Sequence, residues 1–298
     1  MRLSNSTTSD AVLRQLQRLT ERQAGLQRQV ATGQRIHQPG DDPAAAGRVI
    51  AARMERGALA QAARNASSAL EYSKTTYSAL DQLKRLSDRA SELSVLGSGG
   101  LGPDAARAYA AEVDQLLEQA LSLGNTTQRG DHVFAGAAVD TAPFVPSRDA
   151  AGRVLSVAYA GDSARPSVPL ADGTSVSPGA DGATNPGIAD FMNGLVALRD
   201  ALAANDQPAL DAARPALANA EDYFVDSLSE HGAIQLRIEV AQARHTDRLS
   251  ELDRQISLEA SADLPEVIVR LNQASQAYEA ALASSSTILK LSLLDYLR

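Results

Sequence analysis

The feature that most constrains the fold is a heptad pattern in residues 263–298. Apolar or small side chains recur there in alternating steps of three and four residues, which is typical of a helix that packs lengthwise on another helix. Asp263 is a predicted N-cap, and Pro265 suits the first helical turn because its missing N–H has no partner there. The seam consists of Leu264, Val267, Leu271, Ala274, Tyr278, Ala281, Ser285 and Ile288.

A second heptad seam lies near the start of the chain and is a suitable partner for the first. It consists of Val12, Leu16, Leu19, Gln23, Leu26 and Val30. Both seams predict helices of similar length, so we expect the N- and C-terminal helices to pair. We call these two sets of residues the terminal seams. Leu291 and Leu294 extend the apolar character to the last residues of the chain.

The sequence between the terminal helices is mostly helical in pattern. We expect the first helix to end near Thr32, with Gly33 as the left-handed residue after it. Asp42 is a predicted cap for the second helix, and Pro43 fits its first position. Pro215 should kink the fifth helix. The predicted helices cover about residues 4–31, 44–96, 104–123, 188–203, 207–260 and 264–298.

Helical periodicity is absent from Gly124 to Gly187, where Gly, Pro, Asp, Ser and Thr are frequent. Short strands are predicted at residues 133–136 and 144–145. Residues 153–159 alternate in polarity, which predicts a strand with Leu155, Val157 and Tyr159 on one face. Residues 168–176 contain an Asp-Gly pair typical of a hairpin turn, and Pro169 restricts that strand to a sheet edge.

These patterns predict a mainly α fold: an elongated rod of long antiparallel helices with paired terminal helices and a small inserted β-rich module. We expect five segments. They are an N-terminal assembly helix (1–40), the first half of the helical rod with a short β segment (41–146), the β-rich variable module (147–187), the second half of the rod (188–262) and a C-terminal assembly helix (263–298).

Composition excludes several classes of function. The net charge of −8 argues against nucleic acid and anionic membranes as partners, because no dense basic patch is present. Aromatic residues make up only 4%, and the chain has no Cys and therefore no disulfide framework or thiol chemistry. No apolar run predicts a membrane span, and the first residues do not resemble a cleavable secretory signal.

No catalytic, cofactor-binding or metal-binding constellation is apparent. His231 and His245 are about 21 Å apart on a predicted helix, too far for one metal ion, and we interpret them as surface residues. Asp41 and Asp42 suggest a cation site or a helix cap, and we favour the cap. Enzymatic activity is therefore not expected.

Four motifs occur in order along the chain. The first is the start, Met1-Arg2-Leu3-Ser4. The second is ATGQRI followed by PGDDPA, with Gly33, Asp42 and Pro43. The third is VFAG followed by TAPF, with Phe134 and Gly136. The fourth comprises Asp263-Leu264-Pro265 and the ending LSLLDYL, with Asp295 and Tyr296.

These four motifs resemble the flagellin superfamily, and most closely its hook-associated protein 3 branch (FlgL), the hook–filament junction proteins. The resemblance implies a flagellin-like fold and a structural subunit of the bacterial flagellum without cofactors. It implies export through the flagellar type III system, without a cleavable signal, to an extracellular location. The implied partners are hook-associated protein 1, flagellin, further copies of the same chain in a ring at the hook tip, and a cytoplasmic export chaperone at the C-terminal segment.

The terminal seams fit that role energetically, because the conformational entropy lost on ordering both ends exceeds what their own burial can recover. We therefore expect residues 1–35 and 264–298 to be disordered or loosely helical in the monomer and to order against neighbouring subunits. An intramolecular core formed by the seams is the alternative. For function, the alternatives are a flagellin filament subunit and, in a different class, a cytoplasmic coiled-coil adaptor.

Overall fold

The computed structural model describes residues 2–296 apart from residue 101 and residues 172–173 and 181–184. The side chains of residues 2–9, 171 and 287–296 are also outside the described part. The described chain contains six helices: α1 (Arg2–Thr32), α2 (Pro43–Gly97), α3 (Pro103–Gly124), α4 (Pro186–Ala204), α5 (Gln207–Ala260) and α6 (Leu264–Tyr296). The mainly α fold predicted from the sequence is confirmed, with helix ends within two residues of the predicted ones where both are defined.

Local sequence signals explain most helix boundaries. Gly33 has φ +68° after α1, and Asn205 has φ 50° after α4, so each ends its helix in a left-handed conformation. Pro103 and Pro186 open α3 and α4 at positions where no N–H is needed. Pro215 lies inside the continuous helix α5.

The strands form three small antiparallel sheets of two strands each within the described residues. The strands are β1 (Thr127–Gln128), β2 (Asp131–His132), β3 (Phe144–Arg148), β4 (Val154–Tyr159), β5 (Val168–Ala171) and β6 (Thr174–Val176). In the last sheet Ala171 pairs with Thr174, which confirms the predicted hairpin, although its Asp-Gly turn lies outside the described residues.

Two details of the predicted strands are wrong. Residues 133–136 form buried turns rather than a strand. In β4, Leu155 is 51% exposed while Val154 is buried. The reason is a register shift: Ser147 pairs with Ser156 but Arg148 pairs with Val154, so Leu155 is an extra residue and the alternation of faces breaks.

The chain divides into two compact units, residues 1–58 with 248–298 and residues 59–247. The second unit contains the main core, in which Phe134, Phe144, Phe191 and Phe224 are almost completely buried. Phe191 and Phe224 meet edge to face at 5.3 Å between ring centroids. The first unit contains a smaller cluster between α1 and α6. The five-segment division stays a prediction.

Candidate assembly surface

The terminal helices α1 and α6 pack on each other, and the terminal seams lie at their contact. Leu26, Val267 and Ala274 form the buried centre, with exposures of 9%, 7% and 6%. Val30 and Leu271 pack against it. The heptad steps of both segments thus locate the contact, because residues three and four apart share one face of a helix.

The outer part of the terminal seams is less covered. Val12, Leu16 and Leu19 are half-buried, as is Tyr278, whereas Leu264 remains 40% exposed. The side chains of the other predicted interface residues, Ile288, Leu291 and Leu294, lie outside the described part of the chain.

A second set of apolar side chains on these helices is exposed, and the seam analysis missed it. Leu13 is 57% exposed, Ile268 45% and Leu282 43%. If the seam residues occupy heptad positions a and d, these three occupy position e, directly beside the seam. An apolar residue at position e is the sequence signal that identifies them. We call Leu13, Ile268 and Leu282 the flanking residues.

The segments that follow α1 and α5 join side by side through backbone hydrogen bonds. Arg35 N–H donates to the Ala260 carbonyl at 2.7 Å, and Ala262 N–H donates to the Gly33 carbonyl at 2.9 Å. Gly33 is suited to this place because its positive φ turns the chain out of α1 where these two hydrogen bonds form. The first motif glycine therefore has a structural role at the base of the terminal helices.

The two motif aspartates organise the loop before α2. Asp42 accepts a hydrogen bond from Ala45 N–H at 3.0 Å and so caps α2, as predicted. This bond, and then the nearby Arg35 guanidinium at 3.0 Å, hold the pKa of the Asp42 carboxyl below its usual range. Asp41 accepts from the N–H groups of His37 and Gln38, each at 2.9 Å. Both carboxylates therefore serve the loop.

Charged contacts connect the same loop region to the end of α5. Arg48 donates two hydrogen bonds to the Glu259 carboxylate, at 2.9 and 2.8 Å. Arg35 donates to the Glu259 carbonyl at 3.0 Å. The two hydrogen bonds from Arg48 fix the orientation of its guanidinium group relative to the Glu259 carboxylate. The hydrogen bond from the Arg48 side chain lowers the pKa of Glu259.

The motif residues near the C-terminus are only partly described. Asp263 accepts from Glu266 N–H at 3.3 Å, which confirms the predicted cap of α6 and the helix break before it. Asp295 and Tyr296 lie in the last turn of α6, and their side chains are outside the described part.

Phe134 and Gly136 belong to the second unit and support its core. Phe134 is fully buried, and its carbonyl accepts hydrogen bonds from Asn185 Nδ2 at 2.7 Å and Tyr159 Oη at 2.9 Å. Gly136 has φ +66°, and a Cβ atom there would lie 2.1 Å from the Asp162 carbonyl oxygen. Only glycine fits this turn.

His231 and His245 are buried, not surface residues as predicted, with exposures of 3% and 4%. Both lie on α5, which places them on the side facing the rest of the second unit. Burial, and to a lesser extent Arg165, lowers the pKa of His231, while Glu230 opposes the shift. A sequence signal for this burial exists: His231 and His245 continue the seven-residue spacing of the buried Phe224, Ile238 and Leu252 on α5.

Within the described residues no group of three or more His, Asp or Glu side chains is placed to hold a metal ion. None of the described helices combines the length and apolar character of a membrane span.

Comparison with known proteins shows what this arrangement resembles. The bacterial flagellin N-terminal helical region matches residues 3–138. This match lies within the first half of the chain. Over 118 residues, 39% of this chain, it is 32% identical to flagellar hook-associated protein 3 of Escherichia coli K12 and 30% identical to the protein of that name from Salmonella typhimurium LT2. The matched part spans 37% of each relative's length.

The fold extends further than the sequence similarity to FlgL. The crystal structure of Bacillus cereus FlgL superposes with a TM-score of 0.61 at 19% identity, covering 70% of this chain and 99% of that one. The predicted resemblance to the flagellin superfamily, and within it to FlgL, is confirmed, as is the mainly α, flagellin-like fold with small β elements.

Proposed function

We propose that this FlgL-like chain is a structural subunit of the bacterial flagellum that joins the hook to the flagellin filament. The observation that carries the proposal is the pairing of α1 and α6, which buries the centre of the terminal seams but leaves the flanking residues exposed. Exposed aliphatic side chains directly beside the seam of a helix pair suit packing on further helices. Similarity to hook-associated protein 3 supports the flagellar setting.

In this role the terminal seams and flanking residues contact neighbouring subunits. The partners are hook-associated protein 1 on the hook side, flagellin on the filament side and other copies of this chain in a ring between them. An export chaperone holds the C-terminal segment before secretion through the flagellar type III system. The assembled protein lies outside the cell, and its role is mechanical rather than catalytic.

A flagellin filament subunit is the second candidate, favoured by the flagellin N-terminal region in residues 3–138. The two roles differ in growth. A junction protein adds a short layer at hook tips and stops, whereas a flagellin elongates into a filament. A coiled-coil adaptor differs from both, because it would form a stable dimer at low concentration and would not join hooks.

The decisive experiment uses purified hooks that carry hook-associated protein 1, the full chain and flagellin, observed by electron microscopy. We expect the chain to add one short layer and to be required for filament growth. The test variant combines Leu13→Asp with Ile268→Asp, since both side chains are exposed and their loss should not unfold the chain. The matched control combines Gln17→Asp with Gln276→Asp, two exposed polar positions on the same helices.

We expect the test variant to keep the circular dichroism spectrum of the wild type but to lose layer formation, while the control retains it. Equal layer formation by both variants would show that Leu13 and Ile268 are not part of the interface. Long filaments grown from the chain alone would identify a flagellin. A stable dimer that ignores hooks would support the adaptor.

A further inference from the structure

A cleft in the second unit lies outside the terminal helices and has no part in the role proposed above. It has a volume of about 500 Å³ and lies between the β5–β6 hairpin and the middle of α5. Leu170, Thr174 and Ser175 border it on the hairpin side. Its α5 side combines an apolar surface with three nitrogen-bearing side chains, and these are the features that indicate a ligand.

The apolar surface of the cleft is poorly covered by the chain itself. Leu236 is 62% exposed and Val240 43%, and the two are one helical turn apart on α5. Ala233 continues the same face one turn earlier. Paired exposed aliphatic side chains in a concave surface are typical of a docking site rather than of a solvated helix face.

Two arginines on the cleft have no ionic partner in the described part of the chain. Arg237 and Arg244 are exposed, and neither forms an ion pair or hydrogen bond with any described residue. Arg129, Arg148 and Arg199 in the same unit all pair with carboxylates. Arg237 and Arg244 are two turns apart on one face of α5, about 10.5 Å along its axis. In a chain of net charge −8, this is a local positive site.

His245 supplies an independent observation. Its side chain borders the cleft and is only 4% exposed, yet Nδ1 has no hydrogen-bond partner among the described residues. An unsatisfied buried nitrogen destabilises the free protein, and a polar ligand group in the cleft would relieve that cost.

We propose that this cleft binds an acidic amphipathic helix of a partner protein. Its aliphatic side chains cover Leu236 and Val240, and two carboxylates seven residues apart pair with Arg237 and Arg244. The match in spacing follows because two helices lying side by side share the same rise per residue. Charge complementarity selects a different protein over a second copy of this acidic chain.

The test uses the full-length chain and two fluorescein-labelled 18-residue peptides of identical composition. In the first, two glutamates seven residues apart flank leucines on one helical face. In the second, the same glutamates are moved to the opposite face. We expect fluorescence anisotropy to show binding of the first peptide and a Kd at least about tenfold weaker for the second, since each charge-assisted pair contributes on the order of 1.4 kcal/mol, a factor of ten.

The variant that tests the site combines Arg237→Glu with Arg244→Glu, and its matched control combines Arg85→Glu with Arg107→Glu on exposed positions of α2 and α3. Both change the net charge equally. We expect at least about a tenfold loss of affinity in the first and less than about twofold in the control. No binding, equal binding of both peptides, or equal losses in both variants would overturn the proposal. If the wild-type chain sediments as a dimer and the variant with Arg237→Glu and Arg244→Glu sediments as a monomer, the cleft binds a second copy of this chain. That result would likewise overturn the proposal.

Discussion

The terminal helix pair and the core of the second unit are built from different residues, and the difference bears on stability. All four phenylalanines of the chain are buried in the second unit. Among the described side chains, the contact between α1 and α6 has a small aliphatic centre in which Leu26 and Val267 keep 9% and 7% exposure. Large aromatic side chains remove far more apolar surface from water than Ala or Val. We therefore expect the second unit to fold alone and the terminal pair to need further packing.

Hydrogen exchange of the isolated monomer tests this comparison with the largest expected effect. We expect backbone amides of residues 59–247 in helices to exchange at least about a hundredfold more slowly than those of residues 1–35 and 264–298, because segments with little burial open locally. The measurement is exchange resolved along the chain by mass spectrometry. Equal protection would show that the terminal seams form an internal core or dimer contact, and it would move the adaptor ahead of the flagellar role.

Truncating one buried side chain in each region sharpens the contrast. Phe224→Ala should lower the free energy of unfolding of the second unit by about 3–5 kcal/mol, since it removes a fully buried ring that contacts Phe191. Val267→Ala, on the terminal pair, should lower the stability of the same monomer by less than about 1 kcal/mol. Urea unfolding followed by circular dichroism gives both values. A large loss from Val267→Ala would mean that α6 is already part of the cooperative fold.

Substituting two glycines of the second unit that have positive φ distinguishes the stability lost to backbone strain from the stability lost to steric contact. Gly136→Ala should lower stability by clearly more than about 1–2 kcal/mol, because its Cβ would meet the Asp162 carbonyl at 2.1 Å in addition to the strain of a left-handed alanine. Gly152 has φ +85°, but a Cβ atom there would have no neighbouring atom within 4 Å. Gly152→Ala should therefore cost only the backbone strain. Thermal unfolding of both variants measures the difference. Equal losses would show that the turn at Gly136 can open without cost.

The smallest expected effect is a pH dependence specific to the second unit. Burial lowers the pKa of His231 below the 6.5 typical of the unfolded chain. Because the folded state disfavours the proton, this contribution to stability is complete above about pH 6.5 and is lost as the pH falls toward the folded pKa. His231→Gln should make urea midpoints at pH 7.5 and pH 5.5 more similar. Arg165 and Glu230 shift the pKa of His231 in opposite directions, and their ion pair at 3.3 Å is unchanged in that variant. An unaltered pH dependence would place the sensitivity elsewhere.

The structure also shows why some predictions from the sequence were wrong. The heptad steps located the contact of α1 with α6 because side-chain direction in a helix follows directly from residue spacing. The strand pattern around Leu155 was wrong because one bulged residue interrupts the alternation, so that Val154 instead of Leu155 is buried with Val157, and the position of a bulge depends on the partner strand. The cleft beside Arg237 and Arg244 was missed because its two walls come from separate parts of the chain.

The sequence by itself determined the helices, their caps and the terminal pairing, since spacing, Asp42, Pro43 and Asp263 act locally. Tertiary structure alone decided that Gly136 must be glycine and how far each residue of the terminal seams is covered. These properties depend on which segments distant in the chain meet, and local spacing carries no information about that.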